Sequence, residues 1–366
     1  MRRTRRRARL AVLGSAALVL ALGVVACGDD DDDSGGGDSG GGGGGKIGFL
    51  LPESKTTRYE AHDRPEFEAK VEELCPDCEI VYSNADQDAA KQQSQVEAAL
   101  TEGIDVLVLD PVDSASAASM VNLAAQQDIP VVSYDRLILD TPDVDYYVSF
   151  DNEKVGELQG KALADKLAAD GNPTGPIVQI NGSPTDNNAS QFEAANLEVA
   201  QKYDTPDWSP DEAQREMEQA ITALGPEGFN GVYAMNDGTA GGAIAAMKGA
   251  GIDPKTKPTT GQDAELEAIQ RILVGEQFMT VYKATLKETD AAAQIAVALA
   301  QGEEVPEGLV NGETDNGAAQ VPSVLLDPVE LTIDNIQDTV IKDGFLSADE
   351  ICVGQYAQPC QQAGIQ

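Results

Sequence analysis

From Lys46 onward, short runs of apolar and β-branched residues alternate with longer segments whose apolar residues recur at helical spacing. Ile47–Leu51 predicts a buried strand, and Tyr59–Leu74 predicts the helix that follows it. The alternation continues through a strand at Glu79–Tyr82, a helix at Asp88–Thr101, a strand at Ile104–Leu109, a helix at Ser114–Gln127 and a strand at Ile129–Tyr134. Tyr146–Phe150 closes this first series. A second series opens with a helix at Glu153–Ala169, then a strand at Pro176–Ile180 and helices at Ser190–Ala200 and Asp211–Leu224. A strand at Gly231–Ala234, a helix at Thr239–Gly249 and strands near Thr259 and at Thr280–Tyr282 complete it. Strands that are apolar throughout are covered on both faces, as in a parallel sheet with helices on each side. The pattern predicts an α/β protein of two doubly wound parallel-sheet lobes. In such sheets ligands bind beyond the carboxyl ends of the strands, so two facing lobes make a cleft lined by strand-end loops.

The residues at those ends are polar and planar. Arg58 and Tyr59 follow the first strand, and Asp135 and Arg136 follow the fourth. Later ends carry Asp186, Asn187 and Asn188, then Asn236 and Asp237, Gln262 and Asp263, and Lys283. Carboxylates, amides and guanidinium groups each make two hydrogen bonds to neighbouring hydroxyls. Trp208 and Tyr59 add flat apolar faces. Polar edges with aromatic faces suit a pyranose ring, which has hydroxyls around its rim and C–H groups above and below. Any one of these residues, Asp135 beside Arg136 included, also fits a strand-end cap or structural ion pair. Recurrence at successive ends favours a site.

Charge narrows the function further. The chain of 366 residues has 62 acidic and 25 basic side chains, a formal net charge of −37. That excludes a nucleic-acid binder as the first reading, because such proteins present a basic face to phosphates. His62 is the one histidine, which leaves little room for a Ser-His-Asp triad or a histidine zinc site, and no metal or cofactor is expected.

Arg2 to Arg9 form a basic start, followed by the apolar run Leu10–Ala26 and Cys27. This reads as a secretory leader, and Val24-Val25-Ala26-Cys27 resembles a bacterial lipobox in which the cysteine is lipidated. The apolar run of 17 residues is at the short limit for a membrane span. Gly28–Gly45 holds only Gly, Asp and Ser, the composition of a solvated tether. The six arginines of the leader and six aspartates of the tether offset one another, so the part from Lys46 on also carries −37. The remaining cysteines, Cys75, Cys78, Cys352 and Cys360, are even in number in an exported chain. Local pairing, 75 with 78 and 352 with 360, is the first reading; a four-cysteine zinc site and a redox-active Cys75–Cys78 pair are the alternatives.

Several ordered segments resemble the D-xylose-binding proteins of bacterial ABC importers, within the type I periplasmic sugar-binding family. They are Tyr134-Asp135-Arg136, Val148–Gln159, Gly182–Ala189, Asn236–Ile244, Gly261–Ala264, Thr280–Lys283 and Asp338–Phe345. The resemblance implies two lobes joined by several crossing segments, with a sugar between them. Residues 1–26 would be the leader and 27–45 the lipidated cysteine and tether. Residues 46–150 with about 284–325 would form one lobe, 151–283 with about 326–350 the other, and 351–366 an extension. By motif, Arg58, Arg136, Asp186, Asn188, Asn236, Asp263 and Lys283 resemble the hydroxyl ligands and Trp208 the stacking tryptophan. Tyr59 stands where an aromatic residue is expected, and Asp135, Asn187, Asp237 and Gln262 are supporting neighbours.

Three departures stand out. The strip from Ser190 to Trp208 is shorter than in the xylose binders, so a strand is expected to be missing there and Tyr203 to replace a second tryptophan. The entrance loop Pro52–Thr57 has one extra residue, and Cys352–Gln366 has no counterpart. The expected function is a monomeric, membrane-anchored binder of a monosaccharide, D-xylose first, that serves an ABC permease and is not an enzyme. Glucose, galactose or arabinose are the alternative ligands. A sugar-sensing module for a membrane receptor is a rival, as is, less favoured, a hydrolase using Asp186 and Asp263; Arg and Lys around those carboxylates are expected to lower their pKa values.

Overall fold

The runs of Val, Ile and Leu form central strands because both faces of each strand are covered. The computed structural model describes residues 44–192 and 197–365. In the first lobe, β1 (Lys46–Leu51), β2 (Glu79–Asn84), β3 (Val106–Leu109), β4 (Val131–Tyr134) and β5 (Tyr146–Phe150) pair in parallel. Along β1, Ile47, Phe49 and Leu51 face one apolar cluster with Phe67 and Val71, while Leu50 faces another with Val96 and Val121. That two-residue period places a helical layer on each side.

In the second lobe, β6 (Ile177–Asn181) lies between β7 (Val199–Asp204) and β8 (Gly231–Ala234). Next to β8 the segment 258–263 bonds on both sides, to Val232 and to Val281, without forming a regular strand. β9 (Thr280–Tyr282) continues the layer. The chain then returns to the first lobe, where helix Thr285–Ala300 lays Ala292, Ile295 and Ala296 against the sheet. β10 (Gly312–Asp315) and β11 (Gln320–Leu326) complete a seven-stranded sheet of order β10-β11-β5-β4-β3-β1-β2. β12 (Val329–Leu331) pairs antiparallel with β9 back in the second lobe. The lobes are thus joined at three crossings, after β5, β9 and β11.

Two expectations are corrected. Where a helix was placed at Ser190–Ala200, a five-residue helix, Asn187–Gln191, ends before residue 192 and β7 has begun by Val199, residues 193–196 lying outside the described ones; the strand expected to be missing is thus present as β7. β7 is an edge strand with half-exposed residues, so it carries little of the apolar signal that marks its neighbours. The C-terminal segment docks on the second lobe: Ile351, Cys360 and Ile365 join Ile269, Ile272 and Leu273 in one cluster. Cys352 and Cys360 are disulfide-bonded there, and Cys75 is bonded to Cys78. Those four sulfurs are therefore committed to disulfides, and no zinc site uses them. No described helix is long and apolar enough to cross a membrane. The leader, Cys27 and nearly all of the tether lie outside the described residues.

Candidate functional site

The first N–H groups of a helix have no partners within it, and the residue just before the helix can cap them. Asp186 does so beyond β6, its Oδ1 accepting from the Asn188 N–H at 2.9 Å. Asn236 does so beyond β8 in a reciprocal box with Thr239. The cap reading and the ligand reading of these residues are compatible, because capping uses Oδ1 and leaves the other side-chain atom to face the cleft.

Arg58 is set by a different device. It precedes a π-helical turn, Tyr59–Asp63, whose bonds reach five residues ahead and bring residue 63 beneath residue 58. Asp63 Oδ1 accordingly accepts from Arg58 Nη1 at 2.6 Å and from the Tyr134 hydroxyl at 2.7 Å. Arg58 Nη2 and the Tyr59 hydroxyl both donate to Asp135 Oδ2, the latter at 2.9 Å. Lys283 Nζ lies 3.2 Å from Asp263 and 3.8 Å from Asp135. Across the cleft, Asp186 Oδ2 meets Arg136 Nε at 3.0 Å and Trp208 Nε1 at 3.1 Å.

These groups converge on one cavity between the lobes. It is lined by Thr56, Arg58, Tyr59, Asp135, Arg136, Asp186, Asn188, Phe192, Trp208, Asn236, Gln262, Asp263 and Lys283. None of them is more than 6% exposed. A larger groove beside Leu286 holds surface pairs such as Lys70 with Asp290 and lacks convergent buried polar groups. Asp135, Trp208 and Asp263 all have φ between +51° and +97°, left-handed geometry that costs roughly 1–3 kcal/mol per residue and persists where surrounding contacts dictate it.

Two sequence-predicted residues stay out of the cavity. Asp237 points away, accepting from Gln277, Thr280 and the Glu265 N–H. Asn187 offers its backbone N–H to the Ser114 hydroxyl, a bond between lobes. Both act behind the lining. Tyr203 belongs to β7 and does not reach the cavity; the further aromatic wall is Phe192. Thr56 and Phe192 escaped the sequence reading because Thr56 has no planar polar or aromatic group and Phe192 follows a short helix rather than a strand.

Behind the lining stands a ring of buried carboxylates that sequence reading also missed. Asp63 and Glu288 back Arg58, and Glu53 and Asp110 back Arg136 at 3.6–3.8 Å. Asp110 follows β3 as Asp135 follows β4, so the strand-end pattern contained a signal for it. Burial pushes the Asp110 and Glu288 carboxyls well above the usual range. Burial also acts on Asp135, but Arg58, Lys283 and Arg136 outweigh it and hold that carboxylate low. Asp186 was expected to be lowered by its cations; burial outweighs Arg136 and raises it.

The family profile described as a periplasmic binding protein domain matches residues 47–304. The chain belongs to this family. It has the type I fold of these proteins, α/β with parallel sheets. It is 40% identical over 318 residues to the D-xylose-binding periplasmic protein of Escherichia coli (strain K12), covering 84% of this chain and 92% of that protein. It is 32% identical to the multiple sugar-binding periplasmic receptor ChvE of Rhizobium radiobacter, covering 73% and 81%. Among solved structures, the carbohydrate transporter solute-binding protein of Chloroflexus aurantiacus in complex with D-glucose superposes with a TM-score of 0.74 at 29% identity, over 83% of this chain and 97% of that one. These relatives are named as binding proteins, not as enzymes.

Proposed function

We propose that this protein captures a neutral monosaccharide, D-xylose first, in the interlobe cavity and presents it to an ABC permease from a lipid anchor at Cys27. The observation that carries the reading is the charge pairing of the cavity lining. Arg58, Arg136 and Lys283 meet Asp135, Asp186 and Asp263 there, and the pairs Arg58–Asp263, Arg136–Asp186 and Lys283–Asp135 join the two lobes. Each charge of the lining already has an opposite partner, so a charged ligand would bring a buried charge with none left to meet it, whereas a polyol accepts from the cations and donates to the carboxylates. The indole of Trp208 supplies the apolar face.

Binding is closure without chemistry. Open lobes admit the sugar, and contacts made to both lobes favour the closed state. Direct bonds between lobes add to it: Thr57 N–H to Glu265 at 3.1 Å and Ser114 N–H to the Thr185 carbonyl at 2.9 Å. A sugar lacking one hydroxyl leaves a buried ionised group unpaired, at a cost of roughly 1–3 kcal/mol or more. The chain acts as a monomer on this reading, one cavity per molecule.

The test is calorimetry of the purified chain with D-xylose, D-glucose, D-galactose, L-arabinose and D-ribose, alongside the emission of Trp208. Saturable binding of at least one, strongest for D-xylose, is expected. No affinity for any of the five would defeat the proposal.

A further inference from the structure

Asp135 projects its carboxylate into the cavity, but its backbone carbonyl has a separate role. That one oxygen accepts from the Ser149 hydroxyl at 2.7 Å, the Tyr147 hydroxyl at 3.1 Å and the Asn188 amide at 3.2 Å. A carbonyl has two lone pairs, so three donors mark it as a focus. Asn152 completes the arrangement. It opens helix Asn152–Ala169 just past the crossing that follows β5, and its Nδ2 donates to Ser149 Oγ at 3.3 Å and Asn188 Oδ1 at 3.1 Å.

Asp135, Ser149, Asn152 and Asn188 thus close a buried ring of four hydrogen bonds, and its polarity is forced. The Asp135 carbonyl can only accept, so Ser149 spends its single proton there and must accept from Asn152. Asn152 therefore shows its NH₂ side to Asn188, which meets it with Oδ1 and turns Nδ2 toward Asp135 and the cavity. A flipped Asn188 would set its oxygen against the carbonyl oxygen and its NH₂ against the NH₂ of Asn152. No side-chain rotation anywhere in the ring reverses this order.

Building on the sugar-binding reading above, we propose that Asn152 is a positioning residue: it makes Asn188 a hydrogen-bond donor to the ligand, and it ties that donor to the crossing about which the lobes close. The ring includes the first-lobe residues Asp135 and Ser149 and the second-lobe residue Asn188. It is complete only with the lobes together, so ligand orientation and closure share one set of bonds. The ligand atom that meets Asn188 is accordingly a lone-pair donor, a hydroxyl or ring oxygen.

The experiment uses the full chain and D-xylose calorimetry with Asn152→Ala, Asn152→Asp, Asn188→Ala and the N152A/N188A double variant. Asn152→Asp keeps the shape of the side chain and replaces its donor by acceptors, and a retained melting transition separates site from fold. Its carboxylate draws Asn188 Nδ2 away from the cavity. The expected result is about tenfold weaker binding for N152A, a larger loss for N152D with a cooperative melting transition retained at a lower midpoint, because its carboxylate is buried, and no further loss when N152A is added to N188A. Binding by N152D within twofold of the unaltered chain, or losses that simply multiply in the double variant, would overturn the proposal. Failure of the unaltered chain to bind any sugar would overturn the functional reading and this one together; normal binding with an indifferent N152D overturns this one alone.

Discussion

Gly182 is the position at which one methyl group should disable the site. A Cβ there would lie 2.0–2.4 Å from three ring carbons of Trp208. Ordinary contact begins at 3.4 Å, so in Gly182→Ala the indole must retreat by about 1.4 Å. Asp186 does not follow, because its Oδ1 caps the Asn188 N–H and its Oδ2 holds Arg136 at 3.0 Å. The 3.1 Å bond from Trp208 Nε1 to Asp186 is therefore lost. An orphaned buried N–H costs roughly 1–3 kcal/mol, and crowding of a packed site adds about 1–3 kcal/mol. Since Trp208 walls the cavity, at least about 1.4 kcal/mol of this is expected in binding, a tenfold rise in Kd. The assay is built in: Trp208 is the one tryptophan, so its emission reports the displacement without ligand and the titration gives Kd. If G182A binds D-xylose as tightly as the unaltered chain with the same emission maximum, the close packing of Gly182 against the indole is not what sets the site.

Other expectations follow from the same geometry. Lys283→Met leaves Asp263 and Asp135 short of a buried partner. It should abolish detectable calorimetric binding and destabilise the fold by about 3–5 kcal/mol in denaturant titration, and intact binding would contradict the charge-balance argument. Burial raises Asp237 from 3.8 to about 7 and Glu265 from 4.5 to about 8. Between those limits the folded chain holds protons that the unfolded chain releases, so stability falls as pH rises from about 4 to 8, on the order of 4 kcal/mol for either group alone. Asp135, held low, is stabilising above about pH 4 and loses that contribution below it. Melting temperature should therefore peak near pH 4–5, and a steady climb from pH 5 to 8 would contradict the burial of Asp237 and Glu265. The Cys352–Cys360 bond closes a short loop over the second-lobe cluster. Its C352S/C360S variant should lose roughly 2–3 kcal/mol of stability yet bind sugar normally, and lost binding would place the C-terminal segment in the site.

Much of the cleft was legible because strand ends are read from a simple alternation. Asp135, Arg136, Asp186, Asn236 and Lys283 each come after an apolar run, Asp263 after the polar segment near Thr259, and each lines the cavity. What was hidden depends on contacts between segments far apart in the chain. Glu288 comes from a helix that returns to the first lobe after the second has formed, and nothing near it in sequence points to Arg58. The π-helical turn at Tyr59–Asp63 keeps the apolar spacing of a helix, so the altered register that sets Asp63 under Arg58 leaves no mark in the pattern. Phe192 follows a five-residue helix rather than a strand, and the polar edge strand β7 resembles the amphipathic segments around it.

The burial of every charge in the cavity has a consequence for the surroundings in which the protein works. Ionic screening acts on charges that share water with the salt, over about 10 Å at 0.1 M. The net −37 of the chain is mostly of that kind, whereas the Arg58, Arg136 and Lys283 pairs lie in side chains 2–4% exposed. The outer surface will therefore respond to changing salinity while the affinity for an uncharged sugar holds nearly constant. A scavenger facing a medium whose salt content the cell does not regulate would then capture sugar as well in brine as in fresh water.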